Sequence, residues 1–177
     1  MKQKKPLNAE ALRQLALTYV GRYATSQARL EAYLVRKLRE HGWDGEGAGG
    51  GVIAQVAQTM VRLRFVDDRA YAEMKSDSLV RRGYGPRRVR QALGAAGIGE
   101  EDAQSALEAA SESAEQAALA FARRRRFGPF SRHPEDPRQR ERALAAMMRA
   151  GHDYATARRI LDLPPETVHE DESWLEC

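Results

Sequence analysis

The side chains with the most evident chemical potential are cationic. In "RRGYGPRRVRQALGAAGI", Arg81 to Ile98, five arginines crowd around Gly83, Tyr84, Gly85 and Pro86. Pro86 suits the first position of a helix, where its missing N–H is no loss. Val89, Leu93 and Ala96 then define the buried stripe, so Arg87 and Arg88 fall in the first turn. A cation there opposes the helix dipole by about 0.3–1 kcal/mol when exposed. Arg87 and Arg90, three apart, share an outward face. Together with Arg81 and Arg82, an exposed helix N-terminus would form an anion-binding corner for a DNA phosphate or a partner's carboxylate. Tyr84 would stack on a base or fill a pocket. The structural alternative is a joint between helical units, with the arginines paired to acidic neighbours and Tyr84 turned inward. Both readings stand at this point.

A second basic block, Arg123, Arg124, Arg125 and Arg126, precedes Gly128, and six carboxylates separate it from Arg90. These four, like Arg81 and Arg82, lie near a helix C-terminus, where cations are favoured for structural reasons alone.

Other candidate chemistry is weaker. "GWDGEGAGGG" has six glycines in ten residues but no Gly-Lys-Ser/Thr ending and no preceding strand, so it reads as a flexible insertion and not a phosphate cradle. His41, His133, His152 and His169 are scattered, and the helix-end positions of His41 and His152 favour an imidazolium. Glu100, Glu101 and Asp102 sit in a first turn, which favours acids for ordinary reasons. The single cysteine, Cys177, allows no disulfide framework or thiol cluster. No catalytic constellation, metal site or cofactor is expected.

The elements that must position these residues are helical. Arginine makes up 24 of the 29 basic residues, net charge is +4, and only 7% of residues are aromatic, so the core is aliphatic and alanine-rich. No window reaches the roughly 18 apolar residues of a membrane span, and the N-terminus lacks the apolar run of a signal peptide; a soluble, cytoplasmic protein is expected. Strand alternation is almost absent. The spacing predicts helices over Ala9 to Val20, from a Thr25 or Ser26 cap to His41, and from about Val52 to Leu63. Asp67 caps the next, with Val66 and Tyr71 as a hydrophobic staple, and it ends near Arg82. Gly97 closes the Pro86 helix and a short acidic helix follows it. Three more start near Ser113, at Asp136, and at "DYATARRIL". Nine helices and no strands are expected.

The pattern repeats. Gly42, Gly97 and Gly151 lie 55 and 54 residues apart. Four residues before them are Leu38, Leu93 and Met147, and eight before are Leu34, Val89 and Ala143. Each such helix has a helix before it and a shorter one after. This predicts an all-α fold of three tandem three-helix repeats in an elongated, curved array. The expected segments are a basic tail over 1–8, repeats over 9–64 (with the Gly-rich loop 42–51), 65–111 and 112–163, and an acidic tail over 164–177. In that tail, Trp174 and Leu175 among carboxylates would suit a docking peptide, with a disordered end as the default.

The motifs "LVRKLREHGW", "LRFVDDRAYAE", "RRGYGPRRVRQALGAAGI", "FARRRRFG" and "RALAAMMRAGHDYATARRIL", in that order, resemble the RecX family of bacterial regulators of the RecA recombinase. The resemblance runs from about Ala9 to Leu161. It implies three tandem helical repeats and a cytoplasmic, non-enzymatic protein. Such a protein would lodge in the groove of the RecA–DNA filament and suppress ATP hydrolysis and strand exchange. The family supplies no catalytic residues. The partner-binding residues expected here, Arg81, Arg82, Tyr84, Arg87, Arg88, Arg90 and Arg123 to Arg126, rest on charge and helix position. The partner is the RecA filament, with single- or double-stranded DNA inside it as a further contact, and the default state is a monomer. The alternative is a helical regulator that binds DNA directly and does not act through RecA.

Overall fold

The structure is a computed structural model that describes residues 5–131 and 136–164. His133, His169, Trp174, Leu175, Cys177 and nearly all of the acidic tail lie outside the described residues. Among the described residues, nine α-helices follow one another: α1 (Ala9–Val20), α2 (Gln27–His41), α3 (Gly49–Arg62), α4 (Asp68–Arg81), α5 (Pro86–Gly94), α6 (Glu100–Glu112), α7 (Ala114–Arg125), α8 (Pro137–Arg149) and α9 (Tyr154–Leu161). A 3-10 turn over Gly128–Phe130 joins α7 to α8. No strand forms among the described residues; one isolated parallel bridge pairs Leu7 with Trp43.

The helix starts follow from their caps. Asn8, Ser26, Asp67, Asp136 and Asp153 each accept a first-turn N–H through a side-chain oxygen, which satisfies a donor the helix itself leaves free. Asp136 and Gln139 complete a reciprocal capping box. The expected staple residues Val66 and Tyr71 are both buried. Gly42, Gly97 and Gly151 all take positive φ, at 83°, 72° and 98°, a backbone setting in which a side chain is strained.

Two expectations need correction. First, α3 begins at Gly49, inside the glycine-rich stretch, and not near Val52. Gly49 is buried, and a Cβ there would lie 2.9 Å from the Leu38 side chain and 3.0 Å from the Trp43 ring, so close packing uses the glycine. The stretch before it is tied by Leu7 N–H to Gly42 O, Asp44 N–H to Leu7 O and the Trp43 indole to Gly47 O. Second, α6 is not short: it has 13 residues against nine in α5. Its buried alanines, Ala103, Ala106 and Ala110, carry the apolar stripe without large side chains.

The chain divides into two compact units. One gathers the residues up to Ala72 with Gly94–Ala103; the other gathers Glu73–Leu93 with the residues from Gln104 onward. In the first, Leu12 and Ala16 of α1 pack with Leu30 and Leu34 of α2 and with Ile53, Val56, Ala57 and Met60 of α3. In the second, Ala118, Phe121 and Ala122 of α7 pack with Ala143 and Met147 of α8 and with Ala157, Ile160 and Leu161 of α9.

Each unit contains the same joint. In the first, the Ser26 hydroxyl at the start of α2 donates to the Ala96 carbonyl at 2.5 Å, and Ala28 abuts Gly97. In the second, the Gly85 N–H at the start of α5 donates to the Ala150 carbonyl at 3.0 Å, and Arg88 abuts Gly151. A helix start thus meets the carbonyl just before a capping glycine both times. Opposite dipole ends are brought together.

Candidate nucleoprotein-contact face

Arg81, Arg82, Tyr84, Arg87, Arg88 and Arg90 all belong to the second unit. The backbone between them is held at two glycines. Gly83 takes φ +76°, and a Cβ on it would come 2.7 Å from the Phe121 nitrogen of α7. A Cβ on Gly85 would come 2.5 Å from the Gly151 carbonyl carbon and 2.6 Å from the His152 nitrogen. Side chains are therefore excluded from the inner side of this turn. The arginines are left outside, and all five are exposed.

The backbone at the start of α5 adds no free donors to the anion corner expected there. The Arg87 N–H donates to Gly151 O at 3.2 Å, Arg88 and Val89 donate to Gly85 O, and Gly85 donates to Ala150 O. Pro86 has no N–H to offer. The first-turn donors are thus consumed by the Gly85 carbonyl and by carbonyls at the α8 C-terminus, and the latter also offset the dipole that Arg87 and Arg88 would otherwise oppose. What remains to meet an anion is the guanidinium groups alone.

Those groups are available. Among the described residues no carboxylate forms an ion pair with Arg81, Arg82, Arg87, Arg88 or Arg90. Arg88 donates to the Gln91 side chain at 2.6 Å, and the Arg82 guanidinium sits 5.4 Å from the Tyr84 ring centroid. Tyr84 itself is half-buried and packs against the core of α7, α8 and α9. It therefore takes the inward position of the structural alternative, while the arginines do not take theirs.

Arg123, Arg124, Arg125 and Arg126 are exposed in the same unit, and Arg126 closes α7 with φ 56°. Arg123 lies 5.4 Å from the Phe130 ring, Arg124 5.8 Å from Phe121 and Arg125 5.8 Å from Phe127. Each of these three guanidinium groups covers an aromatic ring while keeping donors in solvent. Because Gly83 rests on α7 at Phe121, the two basic blocks meet through one helix.

His152 departs from expectation. It is 1% exposed, its Nε2 lies 3.0 Å from the Gly83 carbonyl, and its Nδ1 is buried with no partner. A carbonyl only accepts, so Nε2 carries a proton, and a second proton on the buried, partnerless Nδ1 would have no acceptor, which disfavours the imidazolium. Burial pushes its pKa below 6.5, against the smaller opposing pulls of Gly83 and Asp153. The helix-end imidazolium is overruled by desolvation. Between the unfolded pKa and the lower folded one, the unfolded chain binds the extra proton, so stability falls as pH drops. Denaturant midpoints measured from pH 7.5 to 5.5 are expected to decline, with a limiting slope of about 1.4 kcal/mol per pH unit. His152→Gln should flatten that decline. Asp68, whose pKa burial raises, contributes with the opposite sign and is common to both proteins. Equal slopes in the two would refute the assignment.

Residues 67–107, which contain the Asp67 cap and the whole Arg81–Arg90 turn, match the family model described as RecX, second three-helix domain. A "Regulatory protein RecX" from Myxococcus xanthus is 34% identical over 171 residues, covering 93% of this chain and 91% of its own. The chain belongs to the RecX family. A second relative of that name, from Agrobacterium fabrum, is 28% identical over 89% of this chain and 85% of its own. The crystal structure of RecX from Lactobacillus salivarius superposes with TM-score 0.67 at 17% identity, covering 86% of this chain and 94% of that one. Another RecX crystal structure gives 0.69 at 22% identity, over 88% and 73%. The all-helical fold is therefore that of RecX structures.

The sequence reading missed a second meeting of rings and cations in this RecX-family chain, around Tyr33 in the first unit. Its signals are the Tyr33, Arg36, Lys37 spacing of three and four, which places that set on one face of α2, and Tyr19 and Tyr23 at the end of α1 and just beyond it.

Among the described residues, no helix is long and apolar enough to cross a membrane, and no group of His, Cys, Asp and Glu could hold a metal.

Proposed function

We propose that this protein is a cytoplasmic, monomeric regulator that binds the RecA–DNA filament and holds back its ATP turnover and strand exchange, acting by contact and not by catalysis. The observation that carries this reading is the set of five exposed arginines without a described carboxylate partner, on a turn fixed from inside by two glycine contacts. A turn held in place presents its cations together, so less of the backbone must be ordered when they meet carboxylates or phosphates. Arg123 to Arg126 would supply a second contact. The division into repeats over 9–64, 65–111 and 112–163 belongs to the same proposal. It is supported by the joint that recurs between a helix start and a glycine-capped turn. Such joints would couple neighbouring repeats while each presents its outer face.

The alternative, a DNA-binding regulator with α5 as recognition helix, is less favoured. Recognition helices of that kind present their N-terminal residues to base edges. Here the start of α5 is packed against Ala150 and Gly151.

The decisive experiment titrates this protein into DNA-dependent ATP hydrolysis by the cognate RecA. Inhibition at a small fraction of the RecA concentration is expected. Unchanged hydrolysis at equal concentrations, with filaments intact and the protein folded, would overturn the reading.

A further inference from the structure

In the first unit, three tyrosines and three cations converge where the end of α1 meets the middle of α2. The Tyr19 and Tyr33 rings stack with centroids 4.2 Å apart and planes 17° from parallel. Both pack against the unit's core, so their positions are set from beneath. Tyr23 leans on Tyr19 at 5.3 Å with planes at 49°, yet it is 58% exposed. Tyr33 is already occupied: Tyr19 covers it, while Arg36 lies 5.6 Å and Lys37 5.9 Å from its centroid. Tyr23 is the ring with a face to spare.

Three cations line the same concavity as Tyr23. Arg22 precedes Tyr23 and forms no ion pair among the described residues. Arg36 and Lys37 share one carboxylate, Glu40, at 3.8 Å and 2.9 Å, so the patch keeps a net positive charge. These residues line a concavity of about 420 Å³. Its composition is an open aromatic face beside unneutralised cations. A globular core has no use for Tyr23 there, and a purely acidic protein surface would leave that ring idle.

We propose that this face is a binding site for single-stranded DNA, with one base stacked on Tyr23 and the adjoining phosphates held by Arg22, Arg36 and Lys37. Every base has a π-face, so such a platform reads no sequence, and unpaired strands fit it because their bases are free to turn outward. A duplex keeps its bases stacked internally and can offer only phosphates. The site is separate from the arginine face of the second unit. The preference for DNA over RNA rests on the filament reading above; the single-strand chemistry does not.

The test uses the full chain without any recombinase, so its failure is distinguishable from failure of ATPase inhibition. A dye-labelled oligothymidylate of about 15 nucleotides, long enough for such a groove, is titrated and followed by fluorescence anisotropy across a salt series. Tyr23→Ala is expected to weaken binding roughly tenfold, while Tyr23→Phe retains it. Arg22→Ala with Arg36→Ala should make the slope of log affinity against log salt shallower by about 1.4, or 0.7 per lost phosphate contact. Circular dichroism should be unchanged, since all three side chains are exposed. Wild-type affinity in Tyr23→Ala, duplex DNA bound as tightly as the single strand, or an RNA oligonucleotide bound more tightly than DNA would each overturn the proposal.

Discussion

Gly151→Ala and Gly85→Ala are each expected to destabilise the second unit by roughly 3 kcal/mol, although each adds a single methyl group. At Gly151 two effects add. Its φ of +98° disfavours any side chain, and the new Cβ would lie 2.6 Å from the Arg88 Cβ and 2.9 Å from the Gly85 carbonyl oxygen. At Gly85 the obstruction is backbone, with the Gly151 carbonyl carbon at 2.5 Å and the His152 nitrogen at 2.6 Å. Neither can swing aside as a flexible side chain would. Relief requires the start of α5 to back away from the α8–α9 turn. That would break the hydrogen bonds from Gly85 to Ala150 and from Arg87 to Gly151 and leave buried carbonyls unpaired. Thermal denaturation should show midpoints lower by roughly 10 °C. Gly94→Ala is the control on the same helix. It is helical, and nothing lies within 4 Å of its Cβ position, so it should be neutral or stabilising by up to about 1 kcal/mol. Gly85→Ala as stable as wild type would mean that the two glycines do not touch.

These glycines also mark how far the sequence could be read. Leu34, Val89, Leu93, Ala143 and Met147 are buried where the i, i+4 stripes placed them, because periodicity and a following glycine are local signals. The caps at Ser26, Asp67 and Asp136 were legible for the same reason. That Gly85 seats against Gly151 depends on residues 66 apart and has no local signature. The capped start of α5 follows from that contact, and the buried His152 and inward Tyr84 depend on others equally remote in sequence. The arginines were legible as a cluster because charge is local. Their lack of partners was not, since the six carboxylates that follow Arg90 could have folded back on them. The tyrosine platform depends on α1 meeting α2, and spacing within either helix shows only half of it.

The double reversal Arg87→Glu, Arg88→Glu should separate function from stability. Both side chains are exposed, and the backbone N–H of each is already bonded to a carbonyl that the substitution leaves in place. Carbonyls at the α8 C-terminus already offset the dipole at the start of α5, so exchanging exposed cations for anions there shifts stability by no more than about 1 kcal/mol. The variant should melt close to wild type. Against an acidic protomer surface or a phosphate backbone, however, two charges change sign together, a change of four units. Like charges placed face to face at an interface oppose association by several kcal/mol. Even 2 kcal/mol would raise the concentration needed to inhibit RecA by roughly 30-fold. Added salt should weaken inhibition by the wild type, because exposed charges are screened within about 10 Å at 0.1 M. The variant should respond to salt less, or in the opposite sense. Inhibition by the variant at the wild-type concentration, with the same salt dependence, would remove this face from the contact. Arg123 to Arg126 would then be the cations to reverse next.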